Sequence, residues 1–138
     1  MICSFCQIVS GEKGASVVLD EARCVAFLDH RPLFTGHVLL VPRTHCETLA
    51  ELPAELIEPL FAQARRLALA VEAATGAEGT FIAINNKVSQ SVPHVHVHVV
   101  PRRKGDGLRG FFWPRQKYAD AAEMQAVAAR IREALTCG

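Results

Sequence analysis

No apolar run in this 138-residue chain approaches the roughly 18 residues that span a bilayer, which excludes a membrane helix. The opening Met1-Ile2-Cys3-Ser4 lacks the basic and apolar regions of a secretory leader, so a cytoplasmic location is expected. Charge of one sign is also missing: 15 Lys and Arg stand against 14 Asp and Glu, for a formal net charge of +1. Without an overall field, nucleic acid and anionic membranes are not expected partners, and any anionic substrate must be met by local groups. Aromatics are sparse, with one Trp and one Tyr. The five cysteines are odd in number, and their spread does not describe a disulfide framework. What is present is apolar: 50% of residues, with 21% charged. That suffices for one self-sufficient core, so 1–138 is expected to form a single domain without covalent staples.

Short apolar runs at 17–19 and 24–28 flank the polar turn Asp20-Glu21-Ala22-Arg23 and read as two strands. A third strand is expected at 37–41, stopped by Pro42, after a loop at 32–36. Leu52-Pro53 opens a long helix over about 54–74, with Leu56, Leu60, Leu67 and Val71 near helical spacing and Gly76 closing it. Pro59, inside that helix, is expected to kink or delay it. A fourth strand is read at 80–84, a polar loop at 85–93 and a fifth strand at 94–100, ended by Pro101. A C-terminal helix is expected at about 120–136. Strands joined by short turns predict an α+β fold, an antiparallel five-stranded sheet with the helices packed on one side. Cys24, in an apolar stretch, reads as a small buried hydrophobe.

The most informative segment is His94-Val95-His96-Val97-His98-Val99-Val100. A strand alternates faces with period two, so three imidazoles share one face while three valines bury on the other. Two chemical readings follow from the residues. A His-x-His pair can ligate zinc, with a third histidine completing a catalytic site. Alternatively, one neutral imidazole is a nucleophile or base and the others orient charge around it. Spacing alone leaves both open.

The segment resembles the His-φ-His-φ-His-φ-φ motif of the histidine triad (HIT) superfamily of nucleotide hydrolases and transferases. Cys3-Ser4-Phe5-Cys6-Gln7-Ile8-Val9-Ser10-Gly11-Glu12, Ala26-Phe27-Leu28-Asp29, Gly36-His37-Val38-Leu39-Leu40-Val41-Pro42 and Gln90-Ser91-Val92-Pro93 are similar to further blocks of the family, in its order. The resemblance implies a HIT-like fold, dimerising into a joined sheet, and a purine nucleotide substrate. It implies that His96 is the nucleophile toward an α-phosphorus, through a covalent nucleotidyl-histidine that water hydrolyses. His98 would donate to a non-bridging oxygen, and Ser91 and Gln90 would lie by the phosphate or leaving group. His37 would orient a member of the triad. Asp29 resembles the ribose-binding acid, its alternative being a turn or capping residue. Asn85 or Asn86 resembles a phosphate-side asparagine, its alternative being loop polarity. Phe27 is a candidate wall of the base pocket or a core residue. Ser89 stands where many members carry glycine, and the 85–94 loop is shorter than in many relatives.

Cys3-x-x-Cys6 alone is a weak metal signal. In bacterial members with this opening, a structural zinc is bound by the cysteine pair, a histidine at the position of His45 and the first triad histidine, here His94; Cys46 is an alternative ligand. A closed four-ligand zinc would brace the fold without activating water. Mg²⁺ would enter only alongside a polyphosphate substrate. The basic and aromatic segment 102–115 is read as a specificity or interface segment, with Trp113 a candidate stacking residue. The expected activity is release of a nucleoside monophosphate from a dinucleoside polyphosphate or nucleoside phosphoramidate. The rivals are a non-catalytic nucleotide-binding module on the same fold and a triad-bound catalytic zinc.

Overall fold

The computed structural model describes residues 2–109 and 115–137, which belong to two compact units, Met1–Asp106 and Gly107–Gly138. The first unit holds α1 (Ser4–Ser10), β1 (Val17–Asp20), β2 (Cys24–Leu28), β3 (Val38–Pro42), α2 (Ala54–Thr75), β4 (Gly79–Ala83) and β5 (Val97–Arg102). A short 3₁₀ turn, Leu49–Glu51, precedes α2. The second unit contributes α3, Ala121–Cys137. Trp113 lies outside the described residues.

All pairings in the five-stranded sheet are antiparallel, in the order β1-β2-β3-β5-β4. One face packs on α2. Ala26, Val38, Leu40, Val97 and Val99 meet Leu60, Ala64, Leu67 and Val71 in one buried cluster. Those helical residues recur at intervals of three and four, as the apolar stripe of an amphipathic helix must. The helix runs unbroken through Pro59. Pro59 is only its sixth residue, so the missing N–H costs one ladder bond, to Glu55, next to a turn whose own N–H groups lack helical partners anyway. Gly76 ends the helix at φ 71°, its N–H bonding the Glu72 carbonyl, a left-handed closure that glycine adopts at no steric cost.

The expectation of helices on one side is corrected by α1. Phe5 joins Val25, Phe27, Leu39 and Val41 in a second buried cluster on the other face, with Ile8 and Val9 packed against it. The physical reason is legible in β2 and β3. Their burial is continuous rather than alternating, and a strand apolar at both parities needs cover on both faces.

The fifth strand is also corrected. It starts at Val97, not at residue 94, and runs through Pro101 to Arg102. The Val95 N–H bonds the Cys46 carbonyl instead of a neighbouring strand. His94, Val95 and His96 therefore approach the sheet outside the ladder. The alternation survives this shift, since Val95, Val97 and Val99 all enter the α2 core. The third strand likewise includes Pro42 as its last residue.

Gly36 lies where a loop meets the C-terminal end of α2. Its φ is +99°, and a Cβ built on it would sit 2.6 Å from the Thr75 Cγ2 methyl. Gly36→Ala is therefore expected to lower unfolding stability by about 2–4 kcal/mol, from overpacking and left-handed strain together. Adding Thr75→Ala should restore only the overpacking part. Urea denaturation of the single and double variants measures both, and an unchanged midpoint for Gly36→Ala would contradict the close approach.

Candidate functional site

Three features converge on the face of the sheet opposite α2. The first is a group of metal-type donors. Cys3 caps the N-terminus of α1 and Cys6 lies in its first turn. Sγ of Cys3 lies 3.5 Å from Nδ1 of His94, and Sγ of Cys6 lies 3.4 Å from Nδ1 of His45 and 3.6 Å from Nδ1 of His94. The two Nδ1 atoms are 3.3 Å apart. A tetrahedral zinc with Zn–S about 2.3 Å and Zn–N about 2.0–2.1 Å implies S···N edges of about 3.6 Å and N···N edges of about 3.3 Å. The donor set therefore fits a four-coordinate ion. The tautomer fits as well: Nε2–H of His94 donates to the Pro42 carbonyl at 2.8 Å, which leaves Nδ1 as a bare lone pair facing the other donors. Cys46 is buried in the α2-side core and is not among these four donors.

The second feature is the orientation of His96, 3% exposed. Its Nδ1 lies 2.7 Å from the carbonyl oxygen of His94. A carbonyl only accepts, so Nδ1 carries the proton and Nε2 holds the lone pair. His94 thus offers its imidazole to the donor cluster and its carbonyl to His96.

The third feature is a chain of hydrogen bonds with one consistent direction. The Leu33 N–H donates to Nδ1 of His37 at 3.1 Å. Neutral His37 must then carry its proton on Nε2, which donates to Nδ1 of His98 at 3.0 Å. The proton of His98 is accordingly on Nε2. Among the described residues, this Nε2 is the one buried side-chain nitrogen or oxygen without a partner. A buried donor without a partner costs about 1–3 kcal/mol, and this one sits beside His96, the ring centroids 4.9 Å apart. Burial first, then the nearby His96 and His37, pushes His98 down to about 4. Burial likewise lowers His37, against the opposing pull of Asp29. Asp29, His37 and His98 also bring three ligand-type atoms together, but both nitrogens of His37 are already engaged by Leu33 and His98.

A cleft of about 530 Å³ is lined by Ile8, Lys13–Ser16, Phe27, Leu28, Asp29, His30 and Leu39, and His37, His96 and His98 are not among its lining residues. Leu39 is the cross-strand partner of His98. Asp29 is on the cleft wall, its Oδ2 3.8 Å from Nδ1 of His37, and its Oδ1 accepts the Arg31 N–H at 2.9 Å. It combines a turn role with exposure to the cleft. Phe27 is both core and wall, 3% exposed and edge-on to Phe5. The apolar floor and few polar groups match a small-molecule site.

Three polar residues of the loop before the triad hold the loop by hydrogen bonds. Gln90 donates from Nε2 to the Glu47 carbonyl at 2.6 Å and accepts the Lys87 N–H at 2.8 Å, so both ends of its amide brace the loop. Asn85 donates to the Ser89 carbonyl, and Asn86 accepts the Leu49 N–H. Ser91 is exposed. Ser89, the residue at the family's glycine position, has φ 61°, and Lys87 has φ 70°. Both occupy the left-handed region at a cost of about 1–2 kcal/mol each, which the bracing amides hold in place. In the basic segment, Arg102 forms a bidentate pair with Asp106 and Arg103 bonds the Thr75 carbonyl; these two cations serve a turn. Sequence reasoning missed Phe5 and Ile8, because helix α1 is a single short element without a periodic signature, and nothing in the sequence marked Leu39 of β3 or the 13–16 segment as cleft residues.

The lowered His98 has a thermodynamic consequence. Between its unfolded value of about 6.5 and its folded value of about 4, the unfolded chain binds the proton and the folded chain does not. Stability from this group is therefore lost as pH falls through that window. The stability difference between wild type and His98→Asn should shift against the wild type between pH 7 and pH 4.5 in urea titrations. A difference independent of pH would contradict a neutral, desolvated His98.

Comparison with known proteins agrees with this geometry. The HIT domain profile matches residues 10–105. An uncharacterized HIT-like protein of Mycobacterium tuberculosis is 40% identical over 110 residues, covering 78% of this chain and 76% of that one. The adenosine 5′-monophosphoramidase of Saccharomyces cerevisiae is 32% identical over 116 residues, covering 83% and 72%. The crystal structure of a zinc-bound histidine triad family protein from Mycobacterium smegmatis superposes with a TM-score of 0.73 at 35% identity, covering 96% of each chain. The family match, the sheet order and the paired histidines lead to one assignment: this chain belongs to the HIT family.

Proposed function

We propose that the protein is a nucleotide hydrolase or transferase that releases a nucleoside monophosphate through a covalent nucleotidyl-His96 intermediate. The observation that carries this reading is the pairing of a lone pair with a donor. Nε2 of His96 is freed by the Nδ1–H bond to the His94 carbonyl, and the ring that carries the unpartnered Nε2–H of His98 lies 4.9 Å from the His96 ring, centroid to centroid. In the proposed first step, Nε2 of His96 attacks the α-phosphorus. A nitrogen–phosphorus bond forms and the bond to the leaving amine or phosphate breaks, with the electron pair departing on that group; a leaving amine takes up a proton from solvent as it goes. His98 donates to a non-bridging oxygen as charge develops there, the role that electrostatic preorganisation assigns to a fixed, desolvated donor. Because Nε2–H of His37 donates a hydrogen bond to Nδ1 of His98, the His98 proton is held on Nε2. Water then attacks the phosphorus and gives up a proton to solvent, and His96 departs with the P–N electron pair as a neutral imidazole. Division into two displacements replaces one difficult step with two easier ones. Asp29, on the cleft wall, suits the ribose hydroxyls as an acceptor, and Phe27 suits the base. Ser91, exposed in the preceding loop, is available to the phosphate or leaving group.

Zinc is proposed for Cys3, Cys6, His45 and His94, supported by the donor edges and the His94 tautomer. When bound there it supplies structural bracing, since four protein ligands complete its shell. Apolar residues left exposed on α2, Ile57, Phe61 and Leu69, together with β4 at the sheet edge, support the expected homodimer. Light scattering of the purified protein tests that assembly.

The activity test is release of AMP from adenosine phosphoramidate, an adenylyl-lysine and diadenosine tetraphosphate. Release should fall by at least about 10³-fold in His96→Ala, as expected for removal of a covalent nucleophile. It should not require added Mg²⁺ for the phosphoramidate. Binding of AMP with no release from any of the three would favour a non-catalytic nucleotide-binding module. Separately, elemental analysis should give one zinc per chain, lost in Cys3→Ser. Full zinc retention in that variant would contradict the ligand set.

A further inference from the structure

Cys3 and Cys6 differ from the other described cysteines in access and in company. Both are half-buried, whereas Cys24 and Cys46 are 2% and 6% exposed inside the α2-side core. His45, in contact with Cys6, is exposed, so the donor cluster opens to solvent on that side. The two sulfurs also belong to one turn of chain. Cys3, the N-cap of α1, has φ −77° and ψ 123°, and its sulfur turns back to 3.5 Å from the backbone nitrogen of Cys6. The ligand atoms of the cluster all lie within 4.8 Å of one another. Helical residues three apart have Cβ atoms about 5–6 Å apart, and a disulfide asks for about 3.5–4.5 Å. The torsions of the N-cap, which lies outside the helical range, suffice to close that gap, and no strand of the sheet has to move.

We propose that Cys3 and Cys6 form a peroxide-sensitive modification site, in which oxidation to a disulfide discharges the metal and releases His94. The inference rests on the zinc reading above and adds a reaction to it. As metal ligands both cysteines are thiolates, the form that attacks a peroxide. One thiolate attacks a peroxide oxygen. A sulfur–oxygen bond forms, the oxygen–oxygen bond breaks and hydroxide leaves, which gives a sulfenic acid. The second thiolate attacks that sulfur. The sulfur–sulfur bond forms, the sulfur–oxygen bond breaks and a second hydroxide leaves. The two thiolates lose two electrons and the peroxide gains them. The disulfide carries no thiolate, so only His45 and His94 remain, half the donors of a four-coordinate zinc. With the ion lost to solvent, Nδ1 of His94 has no anchor and only Nε2–H, on the Pro42 carbonyl, still holds the ring. Because the His94 carbonyl sets the proton of His96, the oxidation state of α1 is communicated to the proposed nucleophile.

The test treats the full-length, zinc-loaded protein with dilute hydrogen peroxide. Three quantities are followed: zinc released to a chromogenic chelator, the mass of tryptic peptide 1–13, which holds both cysteines, and the single-turnover rate of AMP transfer from adenosine phosphoramidate onto the protein. About one zinc per chain should be released, in step with a peptide lighter by two hydrogens. The transfer rate should fall by about 10-fold, the effect of loosening a metal site's outer support. A dithiol reductant with added zinc should reverse all three. Cys46→Ala should behave as the wild type. Zinc retained through the treatment would overturn the proposal. So would zinc lost with only sulfinic or sulfonic acid on the peptide, or with a disulfide to Cys46. An unchanged transfer rate in the oxidised, zinc-free protein would overturn the link to His96. A purified protein without zinc would sink the zinc reading and the discharge with it. If the wild type forms no nucleotidyl protein, the covalent reading fails, and zinc release and peptide mass still decide the oxidation site.

Discussion

The site depends on His94 facing two ways. Its Nε2–H is held by the Pro42 carbonyl, so its Nδ1 is fixed among Cys3, Cys6 and His45. Its own carbonyl, one residue-length away, sets the proton of His96. A fully buried residue therefore transmits the geometry of the N-terminal helix to the proposed nucleophile through covalent bonds. This explains why an ion with a closed shell can matter to a reaction it does not touch: the proposed zinc fixes a side chain whose backbone does the orienting.

Burial sets the electrostatics around this arrangement. The sheet and α1 remove water from His37 and His94, each 2% exposed or less, and desolvation favours the neutral imidazole there and at His98. Neutral rings have one donor and one acceptor each. With the Leu33 N–H and the His94 carbonyl as fixed ends, the proton positions of three histidines follow without ambiguity. The result is a lone pair on His96 next to a donor on His98, the polarity that an electrophilic, anionic centre calls for. The unpartnered donor is a local cost in stability that a bound phosphate oxygen would relieve.

Much of the fold was legible, for reasons that differ by element. The α2 stripe and its glycine stop are local, periodic signals, and the structure follows them to within a residue. The valines of the triad segment bury as alternation requires. The start of β5 was not legible, because the Val95 N–H is claimed by Cys46, a partner in a distant loop. Helix α1 was missed because seven residues are too few to show a period, although β2 and β3 are apolar at both parities and so called for a cover. Within the site, residue types pointed to His37, His94, His96 and His98 and left two readings of their chemistry open; the hydrogen-bond directions support the proposed covalent-histidine reading. Gln90 shows the limit in the other direction. A polar residue beside a motif looks like a ligand contact, and here its amide also holds, by one bond at each end, a loop that contains two left-handed, non-glycine residues.

The central claim is that the donor cluster orients the nucleophile and takes no part in the chemistry. Cobalt substitution tests it most directly, since Co²⁺ accepts the same ligands and reports its geometry by visible absorption. The account predicts tetrahedral bands that do not move when AMP binds, and a single-turnover rate of AMP transfer equal to that of the zinc protein. A rate that changes by an order of magnitude with the metal, or bands that shift on nucleotide binding, would place the ion in the reaction and contradict it.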